Sequence, residues 1–272
     1  MLGNEPLIGL EWLESLVRYS ILSAYVKDER PVNLLIVADV EEGKTQLLLK
    51  FAEIPSVLYM TDFTRYGLQR DWLPKFRDNT KRIIIIPDFN QLIGGKTAVA
   101  TEGIISFLNG VTEEGIRRIS TFGISIDLDK PLKLGIVGAI SSKVFEDKRF
   151  RWRKSGFISR MVPVSYSVSK NTAAQIIYYL VKKEYRREKE AALEFPKEDT
   201  EITLDEKLAK RLIPLSQTIA KAVQTHGFRL QRQLQTLCMA KALSEKRTVV
   251  TEEDVEEIKK LASWVNLDYK PV

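Results

Sequence analysis

Between Val32 and Lys50 the chain reads VNLLIVADVEEGKTQLLLK. An apolar, β-branched run ends at Val37, a short polar loop follows, and Gly43-Lys44-Thr45 opens a stretch with helical apolar spacing. No other segment constrains the fold as much, because a buried strand must turn through a few residues into a helix. Such a loop suits phosphate. Backbone N–H groups at a helix N-terminus hold the oxygens, a lysine reaches the β- and γ-phosphates, and a hydroxyl ligates Mg²⁺. The usual spacing is G-x-x-x-x-G-K-[ST], and Ala38 stands at its first glycine. Glu41 and Glu42 place acids in the loop, which oppose phosphate unless they point outward. The candidate ATP or ADP contacts are Ala38, Asp39, Val40, Glu41, Glu42, Gly43, Lys44, Thr45 and Gln46, with Thr45 as the Mg²⁺ ligand. The plain alternative is a strand, a turn and a helix capped by Gly-Lys-Thr, without a ligand.

The first three-fifths of the chain alternates β-branched runs with helical stretches. Val32–Val37, Val57–Met60, Arg82–Ile86, Leu134–Val137 and Met161–Val168 read as strands, and Glu11–Tyr25, Lys44–Ala52, Arg65–Phe76 and Thr101–Leu108 as helices. Near-continuous apolar runs such as Ile83–Ile86 suit strands covered on both faces, and alternation of β with α predicts a doubly wound, mostly parallel five-stranded sheet. After about Lys170 the pattern is helical only: Asn171–Ala192, Leu204–Leu212, Leu215–Thr225, Arg229–Glu245 and Thr251–Leu261. Thr251 followed by Glu252, Glu253 and Asp254 is a helix start signal. The expected division is an α/β domain over residues 1–170 and an all-helical one over 171–272.

Arg82–Asn90, RIIIIPDFN, supplies the natural second half of a phosphate site. An acid at the tip of a buried strand beside the loop holds Mg²⁺-bound water or polarises an attacking water, and Asp88 is the acid there. Other chemistries are thinly provided for. One cysteine, Cys238, forms no internal disulfide, and one histidine, His226, builds no His-rich metal site. No apolar run of about 18 residues predicts a membrane span, and the acidic start MLGNEPLIGLEW lacks a basic leader, so a cytoplasmic protein without membrane contact is expected. The net charge of +6 permits nucleic acid without demanding it.

Taken together these stretches resemble the AAA+ ATPases, and within them the minichromosome-maintenance helicase branch. Beyond the phosphate loop and Pro87-Asp88-Phe89, the likeness rests on five further stretches. These are RISTFGI (Arg118–Ile124) with GIVGAIS (Gly135–Ser141), FISRM around Arg160, RQLQ from Arg232, and Val250–Val255. It spans Pro6-Leu7-Ile8-Gly9 to about Leu261. It implies a P-loop NTPase sheet followed by a small helical lid, with ATP or ADP and Mg²⁺ as cofactors. It also implies a homo-oligomer that remodels or loads something on DNA, with another protein as a partner. By the same likeness Arg160 is an arginine finger, Arg232 a lid arginine with Arg229 as its rival, and Ser141 stands at the polar sensor. The family's magnesium aspartate falls on Pro87 and its catalytic glutamate on Asp88. These departures imply either slow or absent hydrolysis with binding retained, or Asp88 moved to the Mg²⁺ role. Where the family carries a DNA-touching lysine in its hairpin, Asp127 stands here.

Lys148–Lys154, KRFRWRK, is the densest basic stretch, and its interleaved Phe150 and Trp152 suit backbone phosphates plus base stacking. The competing reading is a solvated loop or a subunit contact, and the likeness, which puts this segment near a subunit seam, favours the contact. His226 before Gly227 suits a helix end, and Cys238 beside Leu234 and Leu237 suits a core.

Overall fold

The computed structural model describes residues 7–77, 80–121, 124–182, 194–222 and 225–267. Its order is α1 (Glu11–Leu22), β1 (Leu34–Ala38), α2 (Lys44–Leu49), β2 (Val57–Tyr59), α3 (Arg65–Gly67), a π-helical turn at Leu68–Trp72, α4 (Leu73–Arg77), β3 (Ile83–Ile86), α5 (Phe89–Ile93), α6 (Ala98–Thr112), β4 (Ile116–Thr121) and β5 (Ile124–Leu132). Then follow β6 (Gly135–Ser141), α7 (Ser142–Lys154), β7 (Val162–Ser165), α8 (Lys170–Lys182), α9 (Glu206–Lys210), α10 (Ile213–Lys221), α11 (Phe228–Ser244) and α12 (Glu252–Leu261).

Five strands pair in the order β2-β3-β6-β1-β7, every pair parallel. Alternate side chains of each strand enter opposite cores. Leu34, Ile36, Ile83, Ile85, Val137 and Val162 join one apolar cluster; Leu35, Val37, Ile84, Ile86, Ile136 and Ile140 join the other. Burial on both faces is why the strands read as unbroken apolar runs, each buried side chain contributing about 1.5–3 kcal/mol. The register Ala38↔Ser141 and Ile86↔Gly138 brings the carboxyl ends of β1, β3 and β6 to one edge of the sheet. In open α/β sheets ligands bind at this edge.

Strand limits differ from the sequence reading by one or two residues at several ends and by three or four at two of them. β6 runs to Ser141 rather than Val137: Gly138 and Ala139, poor strand formers alone, are buried and continue the pairing with β1, Gly138 closely under Phe89. β7 stops at Ser165, short of Val168, because Tyr166 and Val168 leave the ladder to bind Glu42. β4 and β5 form a separate antiparallel pair, with Arg118 Nε donating to Asp127 across it (3.0 Å). Residues 122 and 123, between them, lie outside the described residues, as do Pro6 and the 183–192 part of the expected Asn171–Ala192 helix.

The C-terminal helices share the core of one sheet face. Leu230, Leu234, Leu237 and Cys238, one stripe of α11, enter the same cluster as Leu13, Leu16 and Val17 of α1. At α12 the start signal is realised as a capping box: Thr251 N–H donates to Asp254 Oδ2 (2.8 Å). Asp254 also takes both Nη atoms of Arg247 (2.6 and 2.9 Å) and is fully buried.

Candidate nucleotide site

The loop from Ala38 to Gly43 joins the inner strand β1 to α2. Gly43 is the N-cap of α2 with φ +81°, a left-handed conformation that glycine adopts without penalty. It contributes no side-chain cap, so the first N–H groups of α2 have no capping side chain. Lys44, half-buried, folds back so that its Nζ donates to the Ala38 carbonyl (2.8 Å) and to the Asp39 carbonyl. Burial lowers the Lys44 pKa, against the opposing pull of Glu42, Asp39 and Asp88. Thr45 and Gln46 are exposed, as are Asp39, Val40 and Glu41.

The two loop acids take different routes. Glu41 is exposed with φ +68°. Glu42 is tied down: Oε2 accepts from Asp39 N–H (2.9 Å) and Oε1 from Val168 N–H (3.0 Å). The Tyr166 hydroxyl donates to the Glu42 carbonyl (2.7 Å) and its ring meets Trp12 edge-on, while Trp12 stacks on Trp264 at 4.4 Å. The loop is thus pinned to the exit of β7. Neither Tyr166 nor this use of Glu42 is evident from the sequence, where Tyr166 looks like one more strand residue.

Asp88 stands at the tip of β3 and caps α5, its Oδ1 accepting from Asn90 N–H (2.8 Å). Ser141 Oγ lies 3.4 Å from Asn90 Oδ1. Lys44, Asp88 and Ser141 therefore meet at one edge, with Asn90, which the sequence does not single out, between the last two. Pro87 is buried.

Arg160 and Arg232 lie elsewhere. The Arg160 carbonyl accepts from Asn33 Nδ2 (3.1 Å), just before β1, so Arg160 sits at the amino edge of the sheet. Five strand residues, about 17 Å at 3.3 Å each, separate that edge from Ala38. There Glu113 gathers Arg160 Nε (2.8 Å), Arg229 Nε (3.0 Å) and Arg30 Nη1 (3.2 Å), and Arg232 pairs with Glu29 (3.2 Å). Despite desolvation, these arginines hold the Glu113 carboxyl below its ordinary range. Glu113 carries no sequence signal beyond being an acid in a loop.

The basic stretch is not a loop. Lys148–Lys154 forms the second half of α7, and Trp152 points inward, 2% exposed, against Phe89, Phe145 and Phe157. Trp152 is therefore a core residue and cannot stack on a base, whereas Phe150 is 76% exposed. His226 stacks on Phe228, and Cys238 is fully buried. Among the described residues no helix is long and apolar enough to cross a membrane. No protein-family model matches the chain, and no curated protein matches it.

Proposed function

We propose that the chain binds ATP or ADP with Mg²⁺ through Ala38–Gln46 and works as an AAA+-type oligomer acting on DNA and a partner protein. The observation that carries this reading is Lys44. A half-buried ammonium, held only by main-chain carbonyls and depressed by desolvation, sits on a helix start at the ligand-binding edge of a parallel sheet. A phosphate anion suits that environment. Mg²⁺ takes oxygen ligands and keeps several waters. Thr45 offers an exposed hydroxyl, and Asp88, near enough to act on Lys44, offers a carboxylate for the outer shell. Bound, the metal neutralises charge on the phosphates; the chain's own residues orient them and place an acid beside them. The helices α9–α12 serve as the lid in this reading.

Arg160 and Arg232 lie far from their own loop, and that position supports a role across a subunit seam. An arginine reaching a neighbour's γ-phosphate accelerates transfer by about 10³–10⁵ in well-studied cases. The test is Mg²⁺-ATP turnover by the parent, Lys44→Ala, Arg160→Ala and a mixture of the two variants. Turnover rising with protein concentration, lost in each variant and partly restored on mixing, is the expected result. A concentration-independent rate would overturn the seam assignment.

A second reading is a nucleotide-binding switch with little hydrolysis. Asp88 favours it, because one of its oxygens already caps α5 and its side chain is a methylene shorter than glutamate. Nucleotide binding without Lys44-dependent turnover would select it.

A further inference from the structure

The second half of α7 concentrates positive charge on one segment. Lys148, Arg149, Arg151, Arg153 and Lys154 fall within seven residues of a chain whose net charge is +6. Complementing the helix dipole accounts for one or two of them, at about 0.3–1 kcal/mol each. Acids on the same helix, Glu146 and Asp147, stand one turn before Phe150. Between α6 and α7 runs a groove of about 690 Å³, lined by Lys96, Lys148, Arg151 and Lys154 against the single acid Glu102. Glu102 pairs with Arg151, an exposed pair that is worth little and exchanges readily for phosphate, and the mostly buried Lys96 pairs with Asp62 outside the groove. Asn109 also lines the groove. Its Nδ2 donates to the Ser155 carbonyl (3.2 Å), while its buried Oδ1 has no hydrogen-bond partner.

We infer that this surface binds single-stranded nucleic acid. Phosphates would lie on Lys148, Arg151 and Lys154, which follow one another at three-residue spacing, with Lys96 facing them across the groove. Phe150 does not line the groove but stands on the adjoining exposed side of α7, one turn before Lys154, where its open ring can stack on an unpaired base. An acidic peptide would use the lysines but not the ring. The inference names the DNA contact of the proposed function, yet it needs no nucleotide at Lys44.

The test is fluorescence anisotropy of the full chain, without nucleotide, on a labelled strand of about twenty thymidines, longer than the roughly 4–16 nucleotides one such groove covers. Three to five phosphate contacts predict an affinity loss of about 20- to 130-fold between 50 and 200 mM salt. Replacing Lys148, Arg151 and Lys154 together with alanine should flatten the salt slope by about 2. Phe150→Ala should weaken binding about 5- to 140-fold, and Phe150→Trp should retain it, with unchanged thermal melting in both. Lys44→Ala should leave the affinity within about twofold, because no residue of the Ala38–Gln46 loop lines the groove, so failure here and failure of the nucleotide reading are separable. Equal binding of duplex or of polyglutamate, no binding, or insensitivity to Phe150→Ala would each overturn the inference.

Discussion

Gly138→Ala tests how β6 positions Asp88. Gly138 pairs with Ile86, and a Cβ there would lie 2.2 Å from Phe89 Cε2 and 2.8 Å from its Cδ2. Carbon atoms rest at about 3.5–4.0 Å, so the ring must retreat by more than about 1 Å. It has nowhere to go, being fully buried with its centroid 5.9 Å from Trp152 and 6.0 Å from Phe157. Overpacking of this kind costs about 1–3 kcal/mol. With a urea slope near 2 kcal/mol per molar, the midpoint should fall by about 0.5–1.5 M. Phe89 directly follows Asp88, so nucleotide affinity should fall as well. Pairing the change with Phe89→Leu should show a coupling of at least about 0.5 kcal/mol, as expected for residues in contact. Without the clash the sign reverses: alanine in an extended strand should stabilise by about 0.4–1 kcal/mol. A raised urea midpoint would refute the reasoning.

Two further outcomes follow from buried groups. Burial alone would raise the Asp254 pKa, but Arg247 and the Thr251 N–H hold it below its ordinary value. Its stabilisation is therefore complete above the unfolded-state value of about 4 and is lost as pH falls further. Asp254→Ala should cost about 3 kcal/mol at neutral pH and flatten the acid limb of a stability–pH curve; an unchanged limb would contradict this. Burial pushes the Cys238 thiol up to about 12, so it should resist a thiol reagent at neutral pH until urea unfolds the chain, and labelling of the native protein would count against a closed core.

Local elements were legible where a single periodicity dominated. Ile83–Ile86 and α12 could be placed from the sequence because buried β-branched runs and capping residues leave unambiguous patterns. The α7 helix could not, since its inward face rests on Phe145 and Trp152 seven residues apart among charged neighbours. The loop itself was evident from Gly43-Lys44-Thr45, but its anchoring was not. Tyr166 and Val168 reach Glu42 across more than a hundred residues, a pairing set by strand order rather than by local sequence. The grouping of Arg160 and Arg229 on Glu113 was hidden for the same reason.

Calorimetric titration of Mg²⁺-ATP and Mg²⁺-ADP into the parent chain and Lys44→Ala bears most directly on nucleotide binding at the loop. One nucleotide should bind per parent chain. The variant should bind at least about tenfold more weakly, since a hydrogen bond to a charged group is worth about 1.5–3 kcal/mol. Equal affinity in the two proteins, or no heat from the parent, would contradict a nucleotide site at Lys44.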